Sequence, residues 1–225
     1  MTRKILPLAA FLLFAPIGAE ATVMRAVDFD EKVESAAMIV VGKVVSQHSR
    51  WDDARKNILT FSTFRVEKTL KGQPAQEVTI VTPGGTVGSI AQETIGVPRF
   101  RNGEDHLLFV RNSQAGPTVA FLEQGAYRVE KTARGDRMVH PGVTSAVLVD
   151  TGRGTAVAPE QPRTLRDFEG KVRETIRRRE MLRMEMLRHK QAQSSLWGFV
   201  QRNKVLVTLA LLGAIIASWQ LVKRW

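Results

Sequence analysis

Apolar residues follow three rhythms along this chain, and each predicts a different kind of element. Between Met38 and His140, short stretches of β-branched and aromatic residues recur between turn-forming clusters, the pattern of strands. Met38–Val45 predicts a strand that continues through Ser46–Trp51 into the polar turn Asp52–Asn57. Ile58–Leu70 returns as its hairpin partner. In that partner Leu59 and Phe61 occupy odd positions, whereas Phe64, Val66 and Leu70 occupy even ones. The change of phase predicts a β-bulge near Ser62-Thr63 that keeps both halves on one core. Glu77–Thr82, Asp105–Arg111, Thr118–Leu122, Gly125–Lys131 and Arg137–His140 predict further strands, and Pro83–Glu104 a long loop. The second rhythm is helical. Phe29, Val33 and Ala36/Ala37 recur at helical spacing behind Asp28, an N-cap with Glu31 three residues on. Leu165, Phe168, Val172 and Ile176 repeat it in a long polar helix over Thr164–Gln193, whose stripe breaks at Arg179-Glu180, too early for a coiled coil.

The third rhythm is unbroken apolarity at the two ends. Arg3 and Lys4 precede the apolar Ile5–Phe14, and Ala19-Glu20-Ala21 follows as an A-x-A cleavage site. Residues 1–21 therefore read as an export signal peptide. Val205–Val222 carries no charge, and as a helix it would reach about 27 Å, close to the thickness of a bilayer core. Trp197, Trp219 and Trp225 lie near its ends, where indoles favour the membrane interface. The expected organisation is a signal peptide (1–21), a β-domain (22–140), a linker (141–163), a basic juxtamembrane helix (164–193) and a transmembrane helix (205–222). The chain has no cysteine, so an exported domain would be held by its core alone and offers no thiolate nucleophile or ligand. That composition suits a bacterial envelope, with the β-domain on the extracytoplasmic, periplasmic side. The basic residues flanking the second apolar run do not follow the positive-inside preference; the export signal sets the orientation expected here.

The net charge of +11 first suggests a nucleic-acid partner. Its distribution removes that reading. Residues 22–162 hold 17 basic against 16 acidic side chains, whereas Arg163–Lys190 holds 10 against 5. The excess sits beside the expected membrane segment, and no nucleic-acid partner is expected.

The runs Met38-Ile39-Val40-Val41-Gly42-Lys43-Val44-Val45, Phe64-Arg65-Val66-Glu67-Lys68-Thr69-Leu70-Lys71-Gly72, Val78-Thr79-Ile80 and Leu107-Leu108-Phe109-Val110 resemble uncharacterised bacterial exported domains. Those domains share an OB-like barrel with tissue inhibitors of metalloproteinases and netrin modules. The resemblance spans roughly Val23–Val139. It implies a small OB-like β-barrel with one short N-terminal helix; with the long polar helix and the C-terminal transmembrane helix read from the residues that follow, the expected fold is mainly β. The resemblance also implies a binding or protease-inhibitor-like role without catalysis, a protein partner such as a protease, and no cofactor. Metalloproteinase inhibitors set an N-terminal cysteine on the target's zinc; this chain has none, so no inhibitory residue carries over.

The loop Pro83–Gly103 is the best candidate site, because long loops in compact domains tend to carry function. Gly84, Gly85 and Gly88 expose backbone N–H groups, and Arg99 and Arg101 offer charge to an acidic partner. The competing reading is a structural loop crossing the barrel mouth. A Gly-Lys-Ser/Thr ending is missing, which excludes a phosphate loop. His48, His106 and His140 with Asp52, Asp53 and Asp105 supply the alternative of a metal-dependent or hydrolytic enzyme, though no pair has ligand spacing. Glu104 and Asp105 are adjacent and point to opposite faces of a strand, a poor acid/base pair. No metal site and no catalytic residue are expected. Arg177-Arg178-Arg179 suits either anionic headgroups or a solvated face.

Overall fold

The computed structural model describes residues 22–142 and 146–223. The side chains of 192, 194–200, 206, 207, 211, 217 and 220–222 lie outside that description. The expected signal peptide and cleavage site also fall outside it. The chain divides into two units, residues 1–172 and 173–225, and the fold is mainly β with a long helix.

In the first unit β1 (Val23–Arg25) and α1 (Phe29–Ser35) precede the long hairpin of β2 (Met38–Trp51) and β3 (Ile58–Lys71). β4 (Glu77–Pro83) follows, then a small hairpin of β5 (Gly85–Val87) and β6 (Ile90–Gln92). Next come β7 (Asp105–Ser113), β8 (Gly116–Val119), a 3-10 turn at Leu122–Gly125, β9 (Ala126–Lys131) and β10 (Arg137–Pro141). β11 (Val147–Asp150), β12 (Thr155–Ala156) and β13 (Arg163–Thr164) lead into α2 (Leu165–Arg202). The main sheet runs in the order β13-β10-β9-β7-β2-β3-β4, with β8 also on β7. It curls so that Val81 of β4 comes within 3.3 Å of the position a Gly116 Cβ would take. Among the described residues no ladder joins β4 to β8. The sheet is curled but open, where a closed barrel was expected.

The apolar run Ile39-Val40-Val41 does not alternate with polar residues because both faces of the sheet are covered. One face holds Val40, Val44, Phe64, Val78, Ile80, Leu108, Val110 and Ala126 in the core inside the curl. The other presents Ile39, Val41, Leu107, Phe109 and Tyr127. There Phe168 of α2 lies 5.3, 6.1 and 4.9 Å, ring to ring, from Phe29, Phe109 and Tyr127. Lys68 bonds Glu169 across the same face at 2.6 Å. α2 begins as a capping motif: the Asp167 N–H donates to Thr164 Oγ1 at 3.1 Å. Asp28 does precede α1, but its side chain makes no cap. Glu31 instead pairs with Arg25 at 2.5 Å, and Lys71 closes the other end of the helix by donating to Val33 O, Glu34 O and Ala36 O at 2.7, 2.9 and 2.6 Å.

Three expectations are corrected. The β3–β4 ladder is regular through Ser62-Thr63. The β2–β3 ladder carries the irregularities instead, passing over Glu67 and Leu70 on β3 and over Val45 on β2. The stretch 141–163 is not a plain linker: β11 pairs in parallel with β1, Val23 opposite Val147. Its Val147-Leu148-Val149 core is a strand signal masked by the Gly-, Thr- and Pro-rich residues around it. The strand expected over Thr118–Leu122 lies earlier, at Gly116–Val119, because the chain turns into the 3-10 segment.

In the second unit α2 runs on past Gln193 to Arg202, and α3 occupies Lys204–Lys223. Met181, Met184 and Met186 are exposed. The apolar run Val205–Val222 is thus helical, yet among the described residues no helix is long and apolar enough to cross a membrane.

Candidate functional site

The bulge at Val45 decides the chemistry at one mouth of the curled sheet. Before it, even-numbered residues of β2 face inward, Val40 and Val44 among them; after it, Gln47, Ser49 and Trp51 lie opposite the inward Ser62, Thr60 and Ile58. Thr82 lies opposite Thr60 on β4. Inward positions that are apolar at one end of the curl therefore include, toward the other, the amide and hydroxyl groups of Gln47, Ser49, Thr60, Ser62 and Thr82 beside the buried Ile58 and Ile80. The outward face shows the inverse. Phe61 faces out, stacked by His48 at 5.2 Å and covered by Arg50 at 4.6 Å. Apolar Leu59 and Phe61 read from sequence as core; they lie on the opposite face from it.

The polar side chains form one hydrogen-bonded floor. Thr60 Oγ1 donates to Gly84 O at 2.7 Å, so the Ser49 hydroxyl 2.9 Å away is the donor of that pair. Gln47 Nε2 donates to Ser62 Oγ at 2.9 Å. Ser62 is fully buried and Thr82 nearly so. Above this floor an open cavity of about 600 Å³ is bounded by Gly84, Gly85, Thr86, Pro98, Arg99 and Phe100. The loop Pro83–Gly103 forms its roof, and the β5–β6 hairpin within that loop stands at the mouth.

Of the five loop residues singled out by sequence, Gly84, Gly85 and Arg99 meet at this cavity. Gly88 turns the tip of the hairpin with nothing within 4 Å of where its Cβ would stand. Arg101 lines a neighbouring cavity of about 800 Å³ beyond Phe100. Arg99 is exposed and pairs with the exposed Glu93. Gly85 takes φ 137°, and a Cβ there would sit 2.3 Å from Thr60 Oγ1 and 2.5 Å from Ser49 Oγ. Gly85→Ala is expected to cost about 1–3 kcal/mol through backbone strain and to disturb the hydroxyl floor. Gly88→Ala should cost about 1 kcal/mol for its left-handed φ alone. Urea unfolding of both variants checks the difference.

Beyond Phe100, direct register partners set Gly42, His106, Arg128 and His140 in one row across β2, β7, β9 and β10. His106 is buried with its ring edge-on to Phe64 and Phe100. Its Nε2 lies 3.2 Å from Glu104 Oε2, which also accepts the Arg101 N–H at 3.2 Å. Burial lowers the His106 pKa, outweighing the carboxylates of Glu104 and Asp105 that raise it; Arg128 adds to the lowering. The unfolded chain therefore binds the His106 proton more readily. Stability from this group is full above the ordinary histidine value of about 6.5 and is lost as pH falls through the lower folded value. Thermal unfolding at pH 7 and pH 5 should show a smaller loss in His106→Gln than in the native chain.

His48 stacks on the outward face, His106 is buried beside Glu104, and His140 lies 3.7 Å from Glu130. His106 and His140 line one cavity and His48 does not, and among the described residues no group of three or more His, Asp or Glu side chains could hold a metal ion. The signal that sequence reading missed was available: Gln47, Ser49, Thr60 and Ser62 alternate polar on one side of a long hairpin. It points inward only once the bulge is placed at Val45. No family model, no curated protein and no solved structure matches the chain.

Proposed function

We propose that the chain is a binding module of a bacterial envelope rather than a catalyst. In this reading an OB-like barrel is exported by residues 1–21, held on the extracytoplasmic side by α3, and its mouth takes a polar, acidic segment of a protein partner. The observation that carries the reading is the inverted polarity of the mouth. Buried hydroxyl and amide groups cost stability unless they are hydrogen-bonded. A fold built only for its own core would place Leu59 and Phe61 inward instead. Arg99 at the rim supplies charge that a carboxylate on the partner can share with Glu93. An inhibitor-like partner, such as a protease, fits the resemblance to metalloproteinase inhibitors, by surface contact and not by cysteine–zinc bonding. The tether rests on sequence alone: Val205–Val222 is uncharged, and 18 residues of helix would reach about 27 Å.

A photo-crosslinking residue at Thr86, introduced into the full chain in growing cells, tests the site. Partner capture should fall at least about tenfold (roughly 1.4 kcal/mol) in Ser62→Leu and Arg99→Ala and persist in Gly88→Ala. Capture unchanged by filling the mouth at Ser62 would sink the reading. A C-terminal phosphatase fusion tests the tether separately, since activity at Trp225 would place that end outside.

A further inference from the structure

A third cavity, of about 940 Å³, is bounded by α1, the β1–β11–β12 sheet and the stretch 157–160. A buried lysine is among the residues that line it. Lys32 of α1 is 3% exposed. Its Nζ donates to Tyr127 Oη at 2.8 Å and to Glu160 Oε1 at 2.5 Å. Tyr127 in turn donates its proton to Glu160 Oε2 at 3.0 Å. One carboxylate is thus gripped by both oxygens, one on an ammonium and one on a phenol. Burial, and then the neighbouring carboxylate, push the Tyr127 hydroxyl well above its ordinary value, so it stays a donor. Arg163 and Lys171 also line the cavity.

The occupant of this cradle comes from an unusual place. Glu160 is not on α1 or on a strand. It sits in Val157–Pro162, the irregular segment between β12 and β13, flanked by Pro159 and Pro162. Val157 ties one end of the segment by donating to Leu148 O at 2.8 Å, and the β13–β10 ladder ties the other. The same strap, Pro159–Pro162, also walls the cavity that holds His106 and Arg128. A buried charge left unmatched is costly. Here the match is a glutamate on an irregular, proline-flanked strap.

We propose that Lys32 and Tyr127 form a receptor site for the carboxylate of an acidic peptide in extended conformation, and that Glu160 occupies it in cis as a tethered competitor. The strap itself shows the chemistry that fits: a glutamate side chain between two prolines, each of which disfavours helical backbone in the residue before it, Ala158 and Gln161. The cavity leaves room for a longer chain beside it. A partner peptide binds only by lifting Glu160 away, so the strap sets a threshold for entry. This site is separate from the barrel mouth and does not depend on the binding proposed there.

The test uses the full chain in detergent micelles and a labelled, end-capped peptide of residues 157–163 as probe. A tethered competitor acts at an effective concentration of about 1 mM or more, so the native chain should bind the probe at least about tenfold more weakly than Glu160→Ala. Adding Lys32→Met to Glu160→Ala should abolish binding, and a probe with Gln in place of its Glu should not bind. If Glu160→Ala fails to fold, Glu160→Gln takes its place, and the probe should raise its unfolding temperature but not that of the native chain. Equal binding by Glu160→Ala with and without Lys32→Met overturns the proposal. So does the lack of any binding or thermal shift in both Glu160 variants at about 1 mM probe.

Discussion

Phe168→Ala is expected to destabilise the β-domain by about 3–5 kcal/mol, the largest effect of any single substitution considered. Phe168 is 1% exposed and touches three other rings, Phe29, Phe109 and Tyr127. Its removal opens a cavity that those rings cannot collapse into, because each is fixed by a different element: α1, β7 and β9. The loss is also topological. Residues 165–172 are the part of α2 that covers the outer face of the sheet, and Leu165, Phe168 and Val172 are its buried stripe. Without the central member, the apolar run of β2 has water on one side. Urea unfolding followed by circular dichroism should show a lower midpoint. A reduced slope as well would show that α2 separates before the sheet melts. Phe168→Leu, which keeps most of the volume, should recover more than half of the loss; if it does not, edge-to-face geometry and not filling holds this layer together.

The second large effect is expected at Lys71, where alanine should cost about 2 kcal/mol. Three carbonyls at the end of α1 receive the Lys71 ammonium, which answers both the orphan acceptors and the negative end of the helix dipole. Each charge-assisted bond is strong alone, but the group is only partly buried, and water can replace some of what is lost. Burial lowers the Lys71 pKa while Glu34 raises it. Lys71→Met separates the two contributions of this side chain: it keeps the stem's packing and loses the bonds, so it should be nearly as unstable as alanine. Hydrogen exchange of the α1 amides measures the local part, and protection there should fall before protection in β7 does. Protection that fell equally throughout would mean that α1 has no separate opening.

Much of the fold can be read from the residues. The hairpin Met38–Trp51 with Ile58–Lys71, the strands from Asp105 and Arg137, α1 and the start of α2 all follow from periodicity and turn chemistry. The misreadings share one physical cause. Alternation reports which side of a strand a residue takes, but not which side holds the core, and one bulge reverses the answer. Leu59 and Phe61 read as inward because they are apolar, whereas Phe61 faces out beneath His48 and Arg50. β11 escaped notice because its three apolar residues sit among small and polar ones, and its partner β1 lies more than a hundred residues away in the chain. The loop Pro83–Gly103 reads from sequence as a candidate site; that it roofs a cavity, and what lies on the floor, needs the register. The tie between Lys32 and Glu160 left no sequence signal, since it joins residues 128 positions apart.

The extra residue at Val45 also separates shape from chemistry in the mouth. Val44 faces Phe64 and Gln47 faces Ser62, with Ser46 on Thr63 between them, so deleting Val45 would leave every one of these partners in place. Gln47, Ser49, Thr60 and Ser62 would keep their bonds, while the added bend and twist of the bulge would go. A chain one residue shorter would carry the same functional groups on a straighter wall. Curvature here is adjustable in a single step without altering the composition of the lining, a freedom that an ordinary side-chain replacement does not offer.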